Sequence, residues 1–528
     1  MPKQQTEHLT ELIKRLTKAE KRTFRLYVNR QDSKDEKLFM QIFDYIDQHG
    51  YLDEADLLKK NPQIKKIQLP NIKSNLYKQL LTNLRLLYRK NNEDIMTREI
   101  IDFATVLNSK GMYKASLDML HKAKQSAIYQ EDYSLAFISL ENERIIENQY
   151  VTGSIVYKAE VLEKESNVYL EKTILNNSLA NLSIKTYAMY LKFGYVRSKR
   201  DSIFLENFFQ SHMPEIKDKE LGFYDKVYLY QSYTWYYYML QDFANNYKFA
   251  QKWVDLFESN PEWKNQNNVL YIKGLHNVLS ASYMANRIDK FEPNFKKLAD
   301  FGKQNELLFN LNEKSIYDIA QGVHLLNYIF LTGKYSDGVK MIRYLEDLLK
   351  REKHDWDANR KLNFYYKLAC VHFGAGDHSR CIDYLNTIIN QPLTDLRNDI
   401  QCFARILNLI AHYELGNKLL ISYQIKSVFR FLIKMEELQM VQKEVFSFLR
   451  KIPNMINEQL KNEFISLRNK LTKYQDDPFE RRAFLYLDII AWLDSKILEK
   501  PIELVIQENI QDLHKNSKNR DSVKQNLI

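Results

Sequence analysis

Apolar residues recur at intervals of three and four along most of this chain, the spacing of one buried helix face. At the start, Leu9, Leu12, Ile13 and Leu16 form one such stripe. Thr17-Lys-Ala-Glu20 has the spacing of a capping box and predicts a second helix through Phe24, Leu26 and Tyr27. Phe39, Ile42, Phe43 and Ile46 predict a third, stopped near Gly50. Asp53 opens a short fourth helix over 54–60, closed by Asn61-Pro62, and after Pro70 a fifth runs through Ile72, Leu76, Leu80, Leu84 and Leu87. Residues 1–95 are therefore expected to form a compact helical head domain.

Eight turn signals then punctuate helical pattern: Gly111-Met-Tyr113, Thr152-Gly153, Gly194-Tyr195, Gln241-Asp-Phe243, Asn286-Arg-Ile288, Gly333-Lys-Tyr335, Gly376-Asp-His378 and Gly416-Asn-Lys418. Successive gaps are 42, 41, 47, 45, 47, 43 and 40 residues. A period in that range marks a helical solenoid, in which each helix pair buries its apolar face by stacking on the next. Two segments show the pair sharply. In one, Ile100, Phe103, Ala104 and Leu107 precede the turn, and Ser116, Leu117, Leu120 and Ala123 follow it. In the other, Tyr365, Leu368, Ala369 and His372 precede Gly376, and Cys381, Leu385 and Ile388 follow. A small residue on each helix lets the axes approach while larger ones interlock around it.

These slots resemble the tetratricopeptide repeat (TPR) family, whose first helix carries an aromatic, then Leu-small, then a large residue. A Gly-x-Tyr-type turn follows, then small, large and small positions. Gly333-Lys-Tyr335 with Gly338, Ile342 and Leu345 is similar to its second half, and Gln241-Asp-Phe243 with Ala250 and Trp253 follows more loosely, Asn246 replacing an alanine. The units at 153 and 194 depart furthest, with Lys199 in a small-residue slot. The period also exceeds the family's ~34 residues. The LTKAEKRTFRLY block resembles the start of uncharacterised bacterial repeat proteins. The resemblance implies an all-α fold: a right-handed superhelical α-solenoid of TPR-like helix pairs over 96–450, behind the N-terminal helical head. Capping helices are expected over 451–509, where Asp477-Pro478-Phe-Glu480 can start a helix carrying Phe484, Leu487 and Trp492, and a disordered polar tail over 510–528.

Composition changes this picture little. Among 528 residues, 13 glycines and 10 prolines suit long helices with brief turns, and 35 tyrosines suit a packed helical core. The net charge of +10 is spread over alternating acids and bases. Three cysteines, Cys370, Cys381 and Cys402, give no disulfide pattern and are expected as reduced thiols. There is no apolar leader and no run approaching the ~18 apolar residues of a membrane span, so a cytoplasmic protein without membrane contact is the expectation.

The motifs of dinucleotide, P-loop, zinc-protease and serine-hydrolase chemistry do not occur, and we expect no enzyme and no cofactor. Cys370, His372, His378 and Cys381 lie within twelve residues, but Cys370 and His372 point ~200° apart on a helix, so no metal site is expected. If the TPR-like register holds, first-helix positions facing away from the helix partner line a concave groove. It projects Tyr228, Gln231, Trp235 and Tyr238, then Val323, Asn327 and Phe330, then Asn363, Tyr366, Cys370 and Phe373. Aromatic rings beside amides suit capture of a peptide or protein partner. A non-enzymatic binding scaffold is the leading expectation. The alternative is a nucleic-acid-binding regulator whose head is helix-turn-helix-like, with Lys73, Asn75, Lys78, Gln79, Arg85 and Arg89 on the helix after Pro70.

Overall fold

The computed structural model describes residues 3–29, 34–150, 155–216, 221–350, 358–391, 398–434, 440–451, 457–475, 477, 479–480, 484 and 488–512. Among these every regular element is a helix. The chain divides into two compact units, Met1–Ile174 and Leu175–Ile528.

The first unit opens with α1 (Lys3–Arg15), α2 (Lys18–Val28), α3 (Lys34–His49), α4 (Glu54–Lys60) and α5 (Leu69–Tyr88). Leu9, Ile13, Phe24, Phe43, Leu57, Leu76 and Leu80 share one core. Thr17 and Glu20 make the reciprocal capping box, with Glu20 N–H donating to Thr17 Oγ1 at 3.2 Å and Thr17 N–H to Glu20 Oε2 at 2.6 Å. Asp53 caps α4 through the N–H groups of Ala55 and Asp56, and Gly50 takes the left-handed conformation (φ 74°) that ends α3.

Three further helices follow: α6 (Glu93–Ser109), α7 (Tyr113–Tyr129) and α8 (Tyr133–Gln149). Ser116 Oγ donates to the Ala104 carbonyl at 2.7 Å, a contact only small residues at the crossing allow. Phe103, expected in the stripe facing α7, is exposed instead, and Thr97, Ile101 and Ala104 carry that face. The crossing of Ala104 and Ser116 is the one read in the sequence, and Phe103 departs from it.

The chain continues with α9 (Ile155–Phe193), α10 (Lys199–His212), α11 (Phe223–Met239), α12 (Phe243–Glu258), α13 (Pro261–Gln266), α14 (Asn268–Met284), α15 (Ile288–Asn305), α16 (Leu311–Thr332), α17 (Tyr335–Met341), α18 (Arg343–Lys350), α19 (Ala358–Gly374), α20 (His378–Ile389), α21 (Asn398–Glu414), α22 (Lys418–Lys434), α23 (Met440–Lys451), α24 (Asn457–Thr472) and α25 (Ile489–Leu498). In the second unit, helices joined by a turn pack together, as α11 with α12, α14 with α15 and α19 with α20. The first helices of successive pairs also pack on one another, α14 on α16, α16 on α19 and α19 on α21. This two-way pattern is that of a stacked helical array.

One turn geometry recurs. Gly111, Glu131, Gln241, Asn286, Gly376 and Gly416 all have positive φ. In each turn the next residue's N–H bonds the carbonyl five residues back, for example Met112 to Leu107 at 3.0 Å, Asp242 to Tyr237 at 3.0 Å and Asp377 to His372 at 2.9 Å. These are Schellman closures, which satisfy the last carbonyls of one helix and aim the chain into the next. Asp132, Asp242 and Asp377 then cap the following helix. Gly194 and Gly333 are also left-handed, whereas the expected turn at Thr152-Gly153 lies outside the described residues.

At the C-terminal end Trp492 is buried among Tyr413, Phe448 and Phe464, and its Nε1 donates to Glu414 Oε1 at 2.7 Å. Residues 502–512 are helical and return to the α16–α17 turn, where Gln507 Nε2 donates to the Gly333 carbonyl at 3.0 Å. Glu480 accepts from the Met440 and Val441 N–H groups at 2.9 and 3.1 Å, so it caps α23. Pro478, Leu487 and residues 513–528 of the expected tail lie outside the described residues, while 510–512 belong to the final helix.

Candidate ligand-binding groove

Counting back from the left-handed residue of each turn gives a simple rule. The positions thirteen, ten, six and three residues earlier share one face of the first helix, because those steps follow the helical period. Before Asn286 they are Lys273, His276, Ser280 and Tyr283; before Gly333, Ala320, Val323, Asn327 and Phe330; before Gly376, Asn363, Tyr366, Cys370 and Phe373. All but Phe373 line one open cavity of about 260 Å³ in the second unit. Trp235 and Tyr238, at the last two positions before Gln241, line it as well.

The aromatic end of the cavity is built on α9 and α11. Trp235 stacks on Tyr190 with ring centroids 4.7 Å apart, and Tyr238 meets both rings edge-on, at 5.3 Å from Tyr190 and 5.9 Å from Trp235. Trp235 is half-buried, so part of its surface stays in the groove. The other two residues of the α11 stripe do not reach the cavity wall. Gln231 instead accepts a hydrogen bond from Ser183 Oγ at 2.9 Å, and Tyr228 is half-buried, with burial and then Asp225 raising its phenol pKa.

Phe373 departs from the expected groove more strongly. It is 1% exposed, and Phe484, Ile502 and Ile506 help line a second cavity beside it, also of about 260 Å³. The C-terminal segment covers this end of α19 and converts a projected groove position into core. Tyr366 is also buried, at 3% exposure, but still borders the cavity.

Part of the lining is polar. Lys273, His276 and Asn277 come from α14, Asn327 from α16, and Arg360, Asn363 and Lys367 from α19. Lys367 lies over the rings of Tyr283 and Phe330, 4.8 and 5.2 Å from their centroids, and donates to Asn327 Oδ1. Because an ammonium only donates, Asn327 must present its oxygen to Lys367 and its NH2 to His324 Nδ1, 3.2 Å away. That fixes the His324 proton on Nε2, which donates to His276 Nδ1 at 2.9 Å. The remaining ring hydrogen of His276 is then on Nε2.

Both imidazoles stay neutral. Burial, then Arg360 and Lys367, push His276 down to about 4, and burial, then His276 and Lys367, hold His324 well below the ordinary histidine value. Desolvation and then the Arg360 charge lower the Lys273 ammonium as well.

The sequence named Trp235, Tyr238, Val323, Asn327, Phe330, Asn363, Tyr366 and Cys370 from this wall but missed Tyr190, Lys273, His276, Asn277, Arg360 and Lys367. Lys273 and His276 were within reach, since they occupy the same offsets before Asn286 that Asn363 and Tyr366 occupy before Gly376. Tyr190 was not, because it lies four residues before Gly194, off those offsets.

The cysteine–histidine cluster is differently engaged. Cys370 and Cys381 are buried thiols, with burial pushing Cys370 up to about 12. His372 Nδ1 faces Asp377 Oδ2 at 3.2 Å. No group of three or more potential metal ligands occurs among the described residues.

In the head, the expected nucleic-acid face of α5 is partly consumed by the fold. Lys73 is a correction: it is buried, and its Nζ donates to Glu54 Oε1 at 2.6 Å and Thr6 Oγ1 at 3.0 Å, tying α5 to α4 and α1. Gln79 accepts from Tyr27 Oη at 3.0 Å, and Arg89 pairs with Glu99 at 3.0 Å. Asn75, Lys78 and Arg85 are exposed. Among the described residues no helix is long and apolar enough to cross a membrane.

No protein-family model, no curated protein and no solved structure matches the chain.

Proposed function

We propose that this protein is a non-enzymatic scaffold that holds a peptide segment or partner protein against its first helices, in a right-handed TPR-like superhelix. The observation that carries the reading is the shared register: four successive helix pairs bring residues at these offsets, all but Tyr228, Gln231 and Phe373, to one open cavity. Flat rings at Tyr190, Trp235 and Tyr238 supply apolar contact area at low entropic cost, while Asn277, Asn327 and Asn363 supply hydrogen bonds that fix a bound backbone. The surrounding lysines and arginine favour partners carrying acidic groups.

The test is selection from a displayed peptide library on the full chain, with Trp235→Ala and Asn363→Ala selected in parallel. The reading expects a consensus pairing an apolar or aromatic residue with an acidic one, enriched by the wild type and lost in both variants. A consensus enriched equally by all three proteins would place binding elsewhere.

A further inference from the structure

The C-terminal segment stands where the groove would continue. Counted back from Gly416, the same offsets fall on Phe403, Ile406, Ile410 and Tyr413. The first three are buried, and Tyr413 meets Trp492 of α25 edge-on at 6.3 Å. On α19 the last offset, Phe373, lines the second cavity together with Ile502, Ile506 and Ile510. Tyr283, Phe330 and Cys370 line both cavities, so helix 502–512 lies beside the turn end of the same face. A Cβ on Gly333 would stand 3.1 Å from Ile506 and 3.2 Å from Gln507 and Ile510, so the bare turn leaves room for the helix.

This helix is held more lightly than α25. Ala491, Trp492 and Leu493 of α25 are at most 1% exposed. In helix 502–512 Val505 and Ile506 are buried, but Ile502 and Ile510 are half-buried and Leu504 is exposed. Two side chains tie it to the α16–α17 turn. Gln507 Nε2 donates to the Gly333 carbonyl at 3.0 Å, and Glu503 accepts from the Ser336 N–H at 3.0 Å and from the Ser336 hydroxyl. Glu499, with φ 55°, and Pro501 form the joint with α25. A short element with few buried contacts opens locally at lower free energy than the core it rests on.

We propose that helix 502–512 is a displaceable strap on the groove. It swings out at Glu499–Pro501, and the surface it uncovers, formed by Leu331, Tyr335 and Phe373, takes an amphipathic helix of a partner protein in its place. The strap itself shows the chemistry that fits. Isoleucines stand four residues apart at 502, 506 and 510, with a carboxylate and an amide beside them for the Ser336 N–H and the Gly333 carbonyl. Because the strap competes for its own seat, partner affinity scales with the fraction of open molecules. The inference rests on the scaffold reading, whose groove it lengthens and regulates.

Hydrogen exchange on the full chain reads the opening, and a fluorescein-labelled synthetic peptide of residues 499–512 reads the uncovered surface by anisotropy. The amides of 506–512 are expected to exchange together, at least about a hundredfold faster than those of 493–498 in α25. Glu503→Ala with Gln507→Ala, which removes both polar ties, should speed that exchange about tenfold and tighten peptide binding by the same factor. Leu504→Ala, on the exposed side of the helix, should change neither. The same peptide carrying Ile506→Asp should not bind. Protection of 506–512 equal to that of α25, or equal peptide affinity in the wild type and the double variant, would overturn the proposal. Exchange and peptide binding that behave as expected, while the library yields no consensus, would sink the capture of peptides at the first cavity and leave the strap standing. A library consensus lost in Trp235→Ala and Asn363→Ala, with 506–512 protected like α25, would sink the strap alone.

Discussion

His324 Nε2 donates to His276 Nδ1 across 2.9 Å, joining α16 to α14 through two uncharged rings, of which His276 lines the groove and His324 lies behind it. Burial is the main reason both resist protonation, and His276 is held at about 4. In the unfolded chain each ring titrates near ~6.5, so between about pH 6.5 and pH 4 the unfolded state binds more protons. Their contribution is complete above about pH 6.5 and falls as pH drops below it, that of His276 being lost by about pH 4. For His276 the loss is on the order of 3 kcal/mol. Thermal melts of the wild type and His276→Gln at pH 7.5 and 5 should show the wild type losing more stability than the variant. Equal losses would mean that the rings are not held neutral by the fold.

Trp235 and Phe373 came from one projected stripe rule but have opposite fates. Trp235 is half-buried at the groove, whereas Phe373 is 1% exposed. Trp235→Ala should cost about 1 kcal/mol for the lost ring contacts and leave the fold intact. Phe373→Ala should cost about 3–5 kcal/mol. Chemical denaturation of the two variants measures the difference, and a Trp235→Ala loss as large as that of Phe373→Ala would make Trp235 core.

Two glycines two residues apart separate turn strain from packing. A Cβ on Gly376 meets nothing within 4 Å but sits at φ +80°, so Gly376→Ala should cost about 1–2 kcal/mol of backbone strain. A Cβ on Gly374 would lie 2.4 Å from the Tyr335 ring. Gly374→Ala should cost about 3 kcal/mol and displace that ring, which packs in the core beneath the C-terminal helix. Denaturation midpoints order the two, and the reverse order would contradict this packing.

Lys73 and Lys78 lie five residues apart on α5 and should answer different assays. Lys73→Ala removes the tie to Glu54 and Thr6 and should destabilise the chain by about 1–3 kcal/mol. Lys78→Ala with Arg85→Ala should leave stability within about 0.5 kcal/mol. If α5 contacts nucleic acid, that double variant flattens the salt dependence of binding, measured by fluorescence anisotropy on a duplex. An unchanged salt slope removes the nucleic-acid reading.

Much of the architecture was legible because the turns are local. Gly111, Gly376 and Gly416 announce left-handed closures, and Thr17, Glu20 and Asp53 announce helix starts. The turn at Glu131 was not read, since no glycine marks it and it falls off the 40–47-residue spacing. Its signal was Asp132-Tyr133, the same Asp-aromatic pair that follows Gln241. The aromatic half of the groove was legible from Trp235, Tyr238 and Phe330. Its cationic half was not, because Lys273, Arg360 and Lys367 look like solvated helix charges until α14 and α19 are placed around one cavity. Lys73 shows the converse: a lysine on a polar-looking stripe was claimed by a tertiary contact 67 residues away.

The central claim is that the α11–α14–α16–α19 face is the binding surface. Calorimetric titration of a library-selected peptide into the wild type, Trp235→Ala, Asn363→Ala and Tyr423→Ala tests it most directly, Tyr423 being an exposed ring outside the cavity wall. The account predicts at least about tenfold weaker binding for the first two variants and wild-type affinity for the third. Undiminished affinity in both groove variants, with all proteins folded, would contradict it.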